Sequence, residues 1–490
     1  MPTNRQKKQK TSNKVSLKKG FQKIEDTFKI LFTSRFEPFL VAMAMALSIV
    51  IVFMSLDLRR AVFMAFLFLM LELIVCESSL KRVRFFQIHW QYRRTFYFIL
   101  VLAGLLNILA ARYIGYESVA PFLGVSLITV LLGRRAGQIS SIFFASIVIL
   151  LFPGHTAFGF YLIVTGYLTA QLTRGVDRRI ELTLHALIIS GIKAVGFLLL
   201  IVSNYEMFSI QSLVLVSITP IISTIVVIGM LPYIEWFSRI YSNIGMLELG
   251  NLSHPLLNDL MHKASGTYYH SFMLSNLSEA AAEKINANPI LARIGAYFHD
   301  IGKAKKPSFF TENQSKDNPH DRINPSMSYL ILTEHVKFGG ELARKYRLPI
   351  LFEDLIYQHH GTRVQKFFYS KAKSEDTATS DDQYRYAGPR PQFKEAGILM
   401  LADSCEAAVK SLENPTPQKI KELVQEIVNN IYLERELDDS GLTLRELEVI
   451  IQEFTKVIVK SQSKRIKYPK EEGNNNEVAI TGETEENKIE

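Results

Sequence analysis

Six histidine and aspartate residues in the second half of the chain lie on the apolar faces of several predicted helices. Apolar residues spaced three or four positions apart mark the buried face of an amphipathic helix. His270 lies on such a face with Leu274 and Leu277, and His335 lies on another with Phe338. The same patterning directs four further residues toward the interior: His299, Asp300, His359 and Asp403.

These inward-facing residues favour a shared metal centre. A buried polar side chain needs a partner, and a lone histidine on an apolar face usually finds one within the core. Six such residues in one small helical domain would each need a separate partner, whereas a metal centre satisfies them all at once. Imidazole and carboxylate ligands together suit manganese, iron or zinc ions.

The dipeptide His299-Asp300 fits two metal ions better than one. Adjacent residues of a helix point about 100° apart, so they cannot approach one ion in the same way. A carboxylate can bridge two ions while its neighbour binds one of them. Two ions about 3.5–4 Å apart can hold a bridging hydroxide and both charged oxygens of a phosphate displacement. We therefore expect phosphoryl chemistry at this dipeptide.

Lys303 follows Asp300 by three residues and lies on nearly the same side of a helix. As a catalytic residue it would neutralise the charge of a bound phosphate. Alternatively, it is a solvated member of the basic stretch that also contains Lys305 and Lys306. The sequence leaves both interpretations open.

Helices are the elements that must position these residues. From about residue 248 apolar residues recur with helical spacing, in short segments divided by proline and glycine, and no strand-like alternation is evident. Residues 415–462 predict one or two amphipathic helices. The stretch 371–392, with its polar residues and prolines, predicts a long surface loop or a lid.

The first half of the chain predicts a bundle of membrane-spanning helices. A helix needs roughly 20 mainly apolar residues to cross a bilayer. Nearly all long apolar runs of the 490 residues fall between positions 37 and 235. We expect about eight spans, at 37–56, 61–77, 95–112, 118–132, 139–153, 156–172, 182–203 and 210–235.

Charge is distributed unevenly along the chain. Residues 1–24 hold eight lysines and arginines and no acidic residue, whereas residues 471–490 hold seven glutamates and one lysine. Basic residues next to membrane spans mark the cytoplasmic side and attract anionic lipid. The basic arm therefore predicts contact with the lipid bilayer rather than with nucleic acid.

The expected fold is all-α, with a polytopic transmembrane bundle followed by a helical metal-dependent phosphohydrolase domain. The boundaries predicted from composition are a basic arm at 1–36, the membrane region at 37–235, a linker at 236–247, the phosphohydrolase domain at 248–465 and a disordered acidic tail at 466–490.

The order of the histidines and aspartates resembles that of the HD-domain phosphohydrolases. Three strings resemble the subgroup of bacterial seven-transmembrane HD (7TM-HD) cyclic di-AMP phosphodiesterases: HDIGK at 299–303, INPSMSYLILTEHV at 323–336 and HHGTRVQKFFYSKA at 359–372. The resemblance covers residues 248–465 by sequence and the membrane region by layout.

This resemblance implies roles for individual residues. One metal ion would be held by His270, His299, Asp300 and Asp403. Asp300 would bridge to a second ion held by His335 and His359, with His360 as a further ligand or a phosphate contact. Both ions would be manganese or iron. The implied reaction is attack of a metal-activated hydroxide on cyclic di-AMP, which yields linear pApA without a protein nucleophile.

The resemblance also implies a location and partners. The protein would be a multi-pass protein of the bacterial cytoplasmic membrane, with its N-terminus and HD domain in the cytoplasm. Its partners would be a cyclic dinucleotide and the lipid bilayer.

Two features depart from related patterns. The HD group that acts on cyclic di-GMP carries Gly-Tyr-Pro shortly after its paired histidines, whereas this chain has Gly361-Thr362-Arg363. The difference points to cyclic di-AMP. Only residues 57–60 separate the first two predicted spans, so we expect that the usual extracytoplasmic domain is lacking.

Two alternative functions belong to other classes. The domain could hydrolyse another phosphorylated nucleotide, such as a nucleoside triphosphate or an alarmone. It could also be a non-catalytic nucleotide-binding receptor in the membrane. A complete set of expected metal ligands favours the enzyme. The sequence predicts neither the oligomeric state nor the residues that contact the bases.

Overall fold

The computed structural model describes residues 84–314, 317–413 and 415–462. Within these ranges the regular secondary structure is helical, and the single extended pairing is a bridge between Val364 and Arg385. The all-α prediction is therefore confirmed. The basic arm, the first two predicted spans and the acidic tail lie outside the described residues.

Seven helices form the described part of the membrane half. They are α1 (Arg84–Ile88), α2 (Trp90–Tyr113), α3 (Pro121–Leu132), α4 (Arg134–Leu151), α5 (Thr156–Leu172), α6 (Arg179–Val202) and α7 (Ile210–Ser238). Helices α2 to α7 fall on six of the eight predicted spans. By length and composition, three of the described helices can cross a membrane: α2, α6 and α7.

The outer surface of the membrane half is apolar. On α6 the side chains of Leu184, Val195 and Leu199 are more than half exposed. Such a surface is unfavourable in water, whereas lipid tails solvate it. The interior of this helical bundle is filled by packed aromatic and aliphatic side chains that include Phe96, Leu100, Val125, Ile128 and Phe144.

Ten helices form the described second half of the chain. They are α8 (Asn243–Leu249), α9 (Pro255–Lys263), α10 (Ser265–Lys284), α11 (Pro289–Phe298), α12 (Pro325–Lys345), α13 (Ile350–Gln358), α14 (Lys366–Glu375), α15 (Lys394–Lys410), α16 (Pro417–Leu433) and α17 (Leu444–Gln462). Short 3₁₀ turns connect α11 to α12, beginning with Ile301–Lys305. The predicted linker 236–247 contains the last residues of α7 and the first of α8.

Local sequence explains where several of these helices begin. The side chain of Asn288 accepts a hydrogen bond from the Leu291 amide at 3.0 Å, and Pro289 is the first helical residue. Asn324 caps α12 in the same way before Pro325. A side-chain acceptor followed by proline satisfies a free amide and sets the helical φ angle.

The core of the second half surrounds α15. Ala396, Leu399 and Met400 of this helix are buried in a cluster that reaches from α8 to α17. The prediction of amphipathic helices within 415–462 is confirmed by α16 and α17, which cover this core. The prediction of a loop over 371–392 is wrong for its first residues, because α14 continues to Glu375 and buries Phe368 and Ala372.

Candidate metal centre

Five helices bring the predicted ligands together. His270 lies within α10, His335 within α12 and Asp403 within α15. The dipeptides His299-Asp300 and His359-His360 directly follow the last residues of α11 and α13. The side chains meet in the core although they span more than 130 positions of the chain.

The ligand atoms form three overlapping groups, each close enough to hold one ion. The groups are His270, His299 and Asp403; His299, Asp300 and His359; and His335, His359 and His360. In the first group His270 Nε2 lies 3.0 Å from Asp403 Oδ1. In the last group the Nε2 atoms of His335 and His359 are 3.4 Å apart.

Asp300 lies between the outer groups. Its Oδ2 atom is 3.2 Å from His299 Nε2, and its Oδ1 atom is 3.3 Å from His335 Nε2. His359 Nε2 lies 3.7 Å from the same Oδ1 atom. Each oxygen of one carboxylate therefore faces a different set of imidazoles, which is the arrangement that a bridging ligand requires.

Hydrogen bonds orient the imidazole rings. The Nδ1 atoms of His299 and His359 are 2.7 and 2.8 Å from the carbonyl oxygens of Ala296 and Ile356, three residues earlier. His335 makes the same contact with Leu332. When Nδ1–H donates outward, the lone pair of Nε2 points into the centre, which is the orientation of a metal ligand.

Two atoms at the middle of the site have no hydrogen-bond partner among the described residues. They are His299 Nε2 and Asp300 Oδ1, both fully buried. An unpartnered buried acceptor costs free energy unless another group occupies the space beside it. A divalent cation bound to these atoms removes that cost, so the residues present fit a metal ion.

The electrostatics around Asp300, His359 and His360 favour the ionisation states that bind metal. Burial opposes ionisation of Asp300, but His299 and Lys303 hold its pKa well below the usual range. Burial lowers the pKa of His359 to about 3, and it also holds the pKa of His360 well below its ordinary value. A carboxylate beside neutral imidazoles is the form in which both act as ligands.

Lys303 is tied to two carboxylates. Its Nζ atom donates to Asp300 Oδ2 at 2.7 Å and to Glu312 Oε1 at 2.9 Å, and its side chain is 12 % exposed. The interpretation as a solvated surface lysine is therefore wrong. Although burial opposes it, the charge of Asp300 raises the pKa of Lys303.

The helix that carries His299 ends earlier than expected. Glycine commonly follows the end of a helix, so Gly302 in the sequence predicts a helix that continues through Asp300. In the structure α11 ends at Phe298, and Asp300 has left the helical conformation with φ −112° and ψ 16°. Gly302 instead allows close packing, because a Cβ atom there would lie 1.9 Å from the carbonyl oxygen of His335. The turn after the helix, rather than the helical twist, separates the directions of the two ligands.

Three residues near the site were missed in the sequence. Glu406 accepts a hydrogen bond from Nδ1 of His270 at 2.7 Å. Glu312 holds Lys303, and Tyr386 stacks on His360 with ring centroids 4.2 Å apart. Only Glu406 had a local signal, since it follows Asp403 by three positions on the same helix face.

A cavity of about 390 Å³ opens beside the group of His335, His359 and His360. Its polar edge includes Lys303, His335 and His360. Aromatic side chains line much of the remainder: Phe309, Phe310, Phe367, Phe368 and Tyr386. The volume lies within the range of ligand-binding pockets, about 300–1,000 Å³.

Two family models match the chain. Residues 83–242 match the family described as a 7TM receptor with intracellular HD hydrolase, and residues 267–408 match the HD domain. The HD domain implies binding of divalent metal, which agrees with the grouped histidines and aspartates. The first match and the apolar helices identify a membrane protein.

Curated relatives share both halves of the chain. It is 36% identical to the cyclic-di-AMP phosphodiesterase PgpH of Bacillus subtilis (strain 168), over 71% of this chain and 50% of that protein. It is 32% identical to the protein of the same description from Listeria monocytogenes serotype 1/2a (strain 10403S), over 76% of this chain and 52% of that protein. The chain thus spans about half the length of these relatives.

A solved structure matches the second half of the chain. The crystal structure of the L. monocytogenes phosphodiesterase PgpH HD domain in complex with cyclic-di-AMP is 41% identical, over 44% of this chain and 100% of that chain, with a TM-score of 0.42. The two family models match in sequence order, so the chain has the domain order of a seven-transmembrane receptor with an intracellular HD hydrolase.

Proposed function

We propose that this chain is a membrane-bound phosphodiesterase that hydrolyses cyclic di-AMP to linear pApA with two divalent metal ions. The observation that carries the proposal is the set of overlapping ligand groups, joined by Asp300, beside a cavity of about 390 Å³. The relatives described as cyclic-di-AMP phosphodiesterases support the choice of substrate.

The residues divide between two ions. His270, His299, Asp300 and Asp403 would hold the first ion, and Asp300 would be shared with a second ion held by His335, His359 and His360. When bound, the ions supply a nucleophile from water and neutralise the charge of the phosphate. Manganese and iron are the metals that we propose, because both accept mixed imidazole and carboxylate ligands.

The surrounding side chains orient the proposed ligands and balance their charge. Outward hydrogen bonds from Nδ1 fix the ring planes of His299, His335 and His359 before an ion binds. Lys303 reaches the cavity while it holds Asp300, so its positive charge lies where a phosphate would enter. We assign it to phosphate binding and to stabilisation of the Asp300 carboxylate.

The cavity suits a dinucleotide with two purine bases. Aromatic side chains offer faces on which bases stack, and such stacking contributes about 1–3 kcal/mol per base. Phe367, which is 70% exposed, lines the cavity, as does Tyr386, which stacks on His360. The polar edge receives the phosphates, so base and phosphate binding are separated within one cavity.

The proposed topology places the HD domain in the cytoplasm of a bacterial cell. The cyclic dinucleotide is then the cytoplasmic partner, and the bilayer surrounds the helices between 37 and 235. For the domain boundaries we propose those that the sequence predicts, in which the cytoplasmic phosphohydrolase domain occupies residues 248–465.

The deciding experiment uses the full chain, purified in detergent and loaded with Mn²⁺ or, without oxygen, Fe²⁺. Cyclic di-AMP, cyclic di-GMP, an alarmone and ATP are offered separately, and products are identified by chromatography. We expect linear pApA as the main product, and no turnover after chelation until Mn²⁺ or Fe²⁺ is restored. A strong preference for ATP or the alarmone would replace the proposed substrate.

A matched pair of variants separates the site from the protein surface. Asp300→Asn should abolish turnover, because the carboxylate between the groups is lost. Asp317→Asn removes an aspartate whose side chain is 84% exposed and should keep full activity. Undiminished turnover in Asp300→Asn contradicts the proposed site, and nucleotide binding without turnover in the metal-loaded wild type indicates a receptor.

A further inference from the structure

Helix α13 belongs to the cores of both halves of the protein. Ile350, at its first position, is buried in the same cluster as Leu231 and Ile234 of the membrane helix α7. Phe352 and Leu355 are buried in the core of the second half, around α15. Because close-packed interiors transmit displacement rather than absorb it, this helix cannot follow one half independently of the other.

The first turn of α13 is attached to the end of α7 through Arg239. The carbonyl oxygen of Arg239 accepts from the Ile350 amide at 2.9 Å, and its Nε atom donates to the Leu348 carbonyl oxygen at 2.9 Å. Its guanidinium also lies 2.7 Å from Glu353. Arg239 has φ 60°, a conformation that favours glycine, and these contacts account for an arginine at this position.

A second contact attaches the same turn to the start of α2. His89 Nε2 lies 2.5 Å from Asp354 Oδ2, and the two side chains are 13% and 16% exposed. His89 immediately precedes Trp90, the first residue of α2. Glu353 and Asp354 are consecutive residues of α13. Together they hold this helix against the end of α7 and the start of α2.

The other end of α13 carries two proposed metal ligands. His359 follows Gln358 directly, and its ring is oriented by Ile356 in the last turn of the helix. Nine helical residues extend about 13 Å, so the membrane contacts and the ligands are separated by one short rigid element.

The helix also contacts the end of α11. Phe352 stacks on Phe298, the residue before His299, with ring centroids 5.6 Å apart. A Cβ atom on Gly295 would lie 2.1 Å from Leu355, so the two helices are in close contact. A displacement of α13 would therefore reach both ligand-bearing dipeptides.

We propose that α13 couples the membrane half to the metal centre, and that Glu353 and Asp354 are positioning residues through which α2 and α7 set the geometry of His359 and His360. The inference rests on the proposed function, since it concerns regulation of that site. Movement of the membrane helices at this junction changes metal affinity and turnover, without any residue of the membrane half touching substrate.

The chain contains its own reporter for this coupling. Its two tryptophans are Trp90 and Trp236, and both lie at the junction. The guanidinium of Arg347 lies 4.1 Å from the ring centroid of Trp236. Coupling between sites is reciprocal, so metal binding at the histidines must alter the environment of these tryptophans if α13 connects them.

The test titrates Mn²⁺ into the metal-free full chain in detergent. Binding is followed by electron paramagnetic resonance, and tryptophan fluorescence is recorded in parallel. We expect the fluorescence to change with the same midpoint as binding. Both signals should disappear in Asp300→Asn. The fluorescence changes that remain in Trp90→Phe and in Trp236→Phe show how much each tryptophan contributes.

The variants Glu353→Gln and Asp354→Asn should weaken the fluorescence response and change the apparent Mn²⁺ affinity by about fivefold or more, the usual range for coupled sites. They should lower kcat for cyclic di-AMP with little change in KM, because neither Glu353 nor Asp354 lines the substrate cavity. The matched control is Glu248→Gln on α8, which removes another pair across the same junction, with Arg179 of α6 at 2.5 Å. It should retain the full response.

Each outcome bears on one of the two proposals. If Mn²⁺ does not bind the wild-type chain, the proposed metal centre is wrong and the coupling falls with it. If Mn²⁺ binds while the tryptophan signal stays constant, or Glu353→Gln and Asp354→Asn keep the full response, the coupling alone is refuted. If Glu248→Gln loses the fluorescence response, the coupling runs through α8 and the role proposed for α13 is refuted. If one of the two α13 variants fails to fold, the other decides.

Discussion

The Nδ1 atom of His270 lies 2.7 Å from Glu406 Oε2, while its Nε2 atom lies 3.0 Å from Asp403 Oδ1. The two carboxylates come from the same helix, three positions apart, and hold opposite sides of one ring. Burial opposes protonation of His270, but these hydrogen bonds raise its pKa to about 9. Glu406 therefore fixes the orientation of a proposed ligand without being one.

Replacing Glu406 by alanine should weaken Mn²⁺ binding by about 10- to 100-fold, the usual effect of removing a carboxylate that orients a ligating histidine. The measurement is a titration followed by electron paramagnetic resonance. Lys410→Ala is the matched control, because Lys410 pairs with the other oxygen of Glu406 at 2.6 Å and is half exposed. Equal affinities in the two variants would contradict the orienting role.

Replacing Lys303 by methionine should lower the free energy of unfolding by about 3–5 kcal/mol, because Asp300 and Glu312 lose their buried partner. Thermal unfolding of the metal-free protein in detergent measures the change. Lys305→Met is the control from the same basic stretch. Its pair with Glu334 is partly exposed, so the expected loss is about 1 kcal/mol or less. Similar midpoints for both variants would show that Lys303 is not part of a buried network.

A methyl group on Gly302 should disrupt the contact between α12 and the turn after α11. The added carbon would lie 1.9 Å from the His335 carbonyl oxygen, so the backbone must move and carry a proposed ligand with it. We expect Gly302→Ala to lower both the unfolding midpoint and Mn²⁺ affinity. Gly191→Ala on α6 meets no atom within 4 Å and should be neutral or stabilising. Unchanged metal affinity in Gly302→Ala would be inconsistent with the observed packing.

Glu395 should make stability depend on pH. It is buried and accepts a hydrogen bond from the Asn288 amide at 2.6 Å, and burial raises its pKa above the ordinary 4.5. A carboxyl group with a raised pKa in the folded state stabilises fully below its unfolded pKa, and this contribution is lost as the pH rises through the folded pKa. Glu395→Gln should therefore gain stability relative to the wild type as the pH rises above 4.5.

The measurement for Glu395 is the difference in unfolding midpoint between variant and wild type at several pH values. Glu422→Gln, on the exposed face of α16, controls for the removal of one negative charge. A difference for Glu395→Gln that shrinks as the pH rises would mean that the pKa is not raised.

Much of the site could be predicted because its signals are local. Helical spacing placed His270, His335 and Asp403 on buried faces, and the structure brings those side chains together. Helix starts at Asn288 and Asn324 are also local, since each depends on one side chain and the next proline. The end of α11 was predicted four residues late, because Gly302 was interpreted as a helix stop whereas its role is contact with α12.

The sequence by itself determined the helical fold, the two-part division into apolar and mixed halves, and the identity of the residues able to hold metal. These follow from periodicity and composition, which are properties of neighbouring residues. Only the tertiary structure decided that Asp300 lies between the ligand groups, that Glu406 and Glu312 support them, and that α13 joins the metal centre to the membrane helices. Those relationships connect residues far apart in the chain, and the packing of whole helices, rather than local spacing, determines which side chains meet.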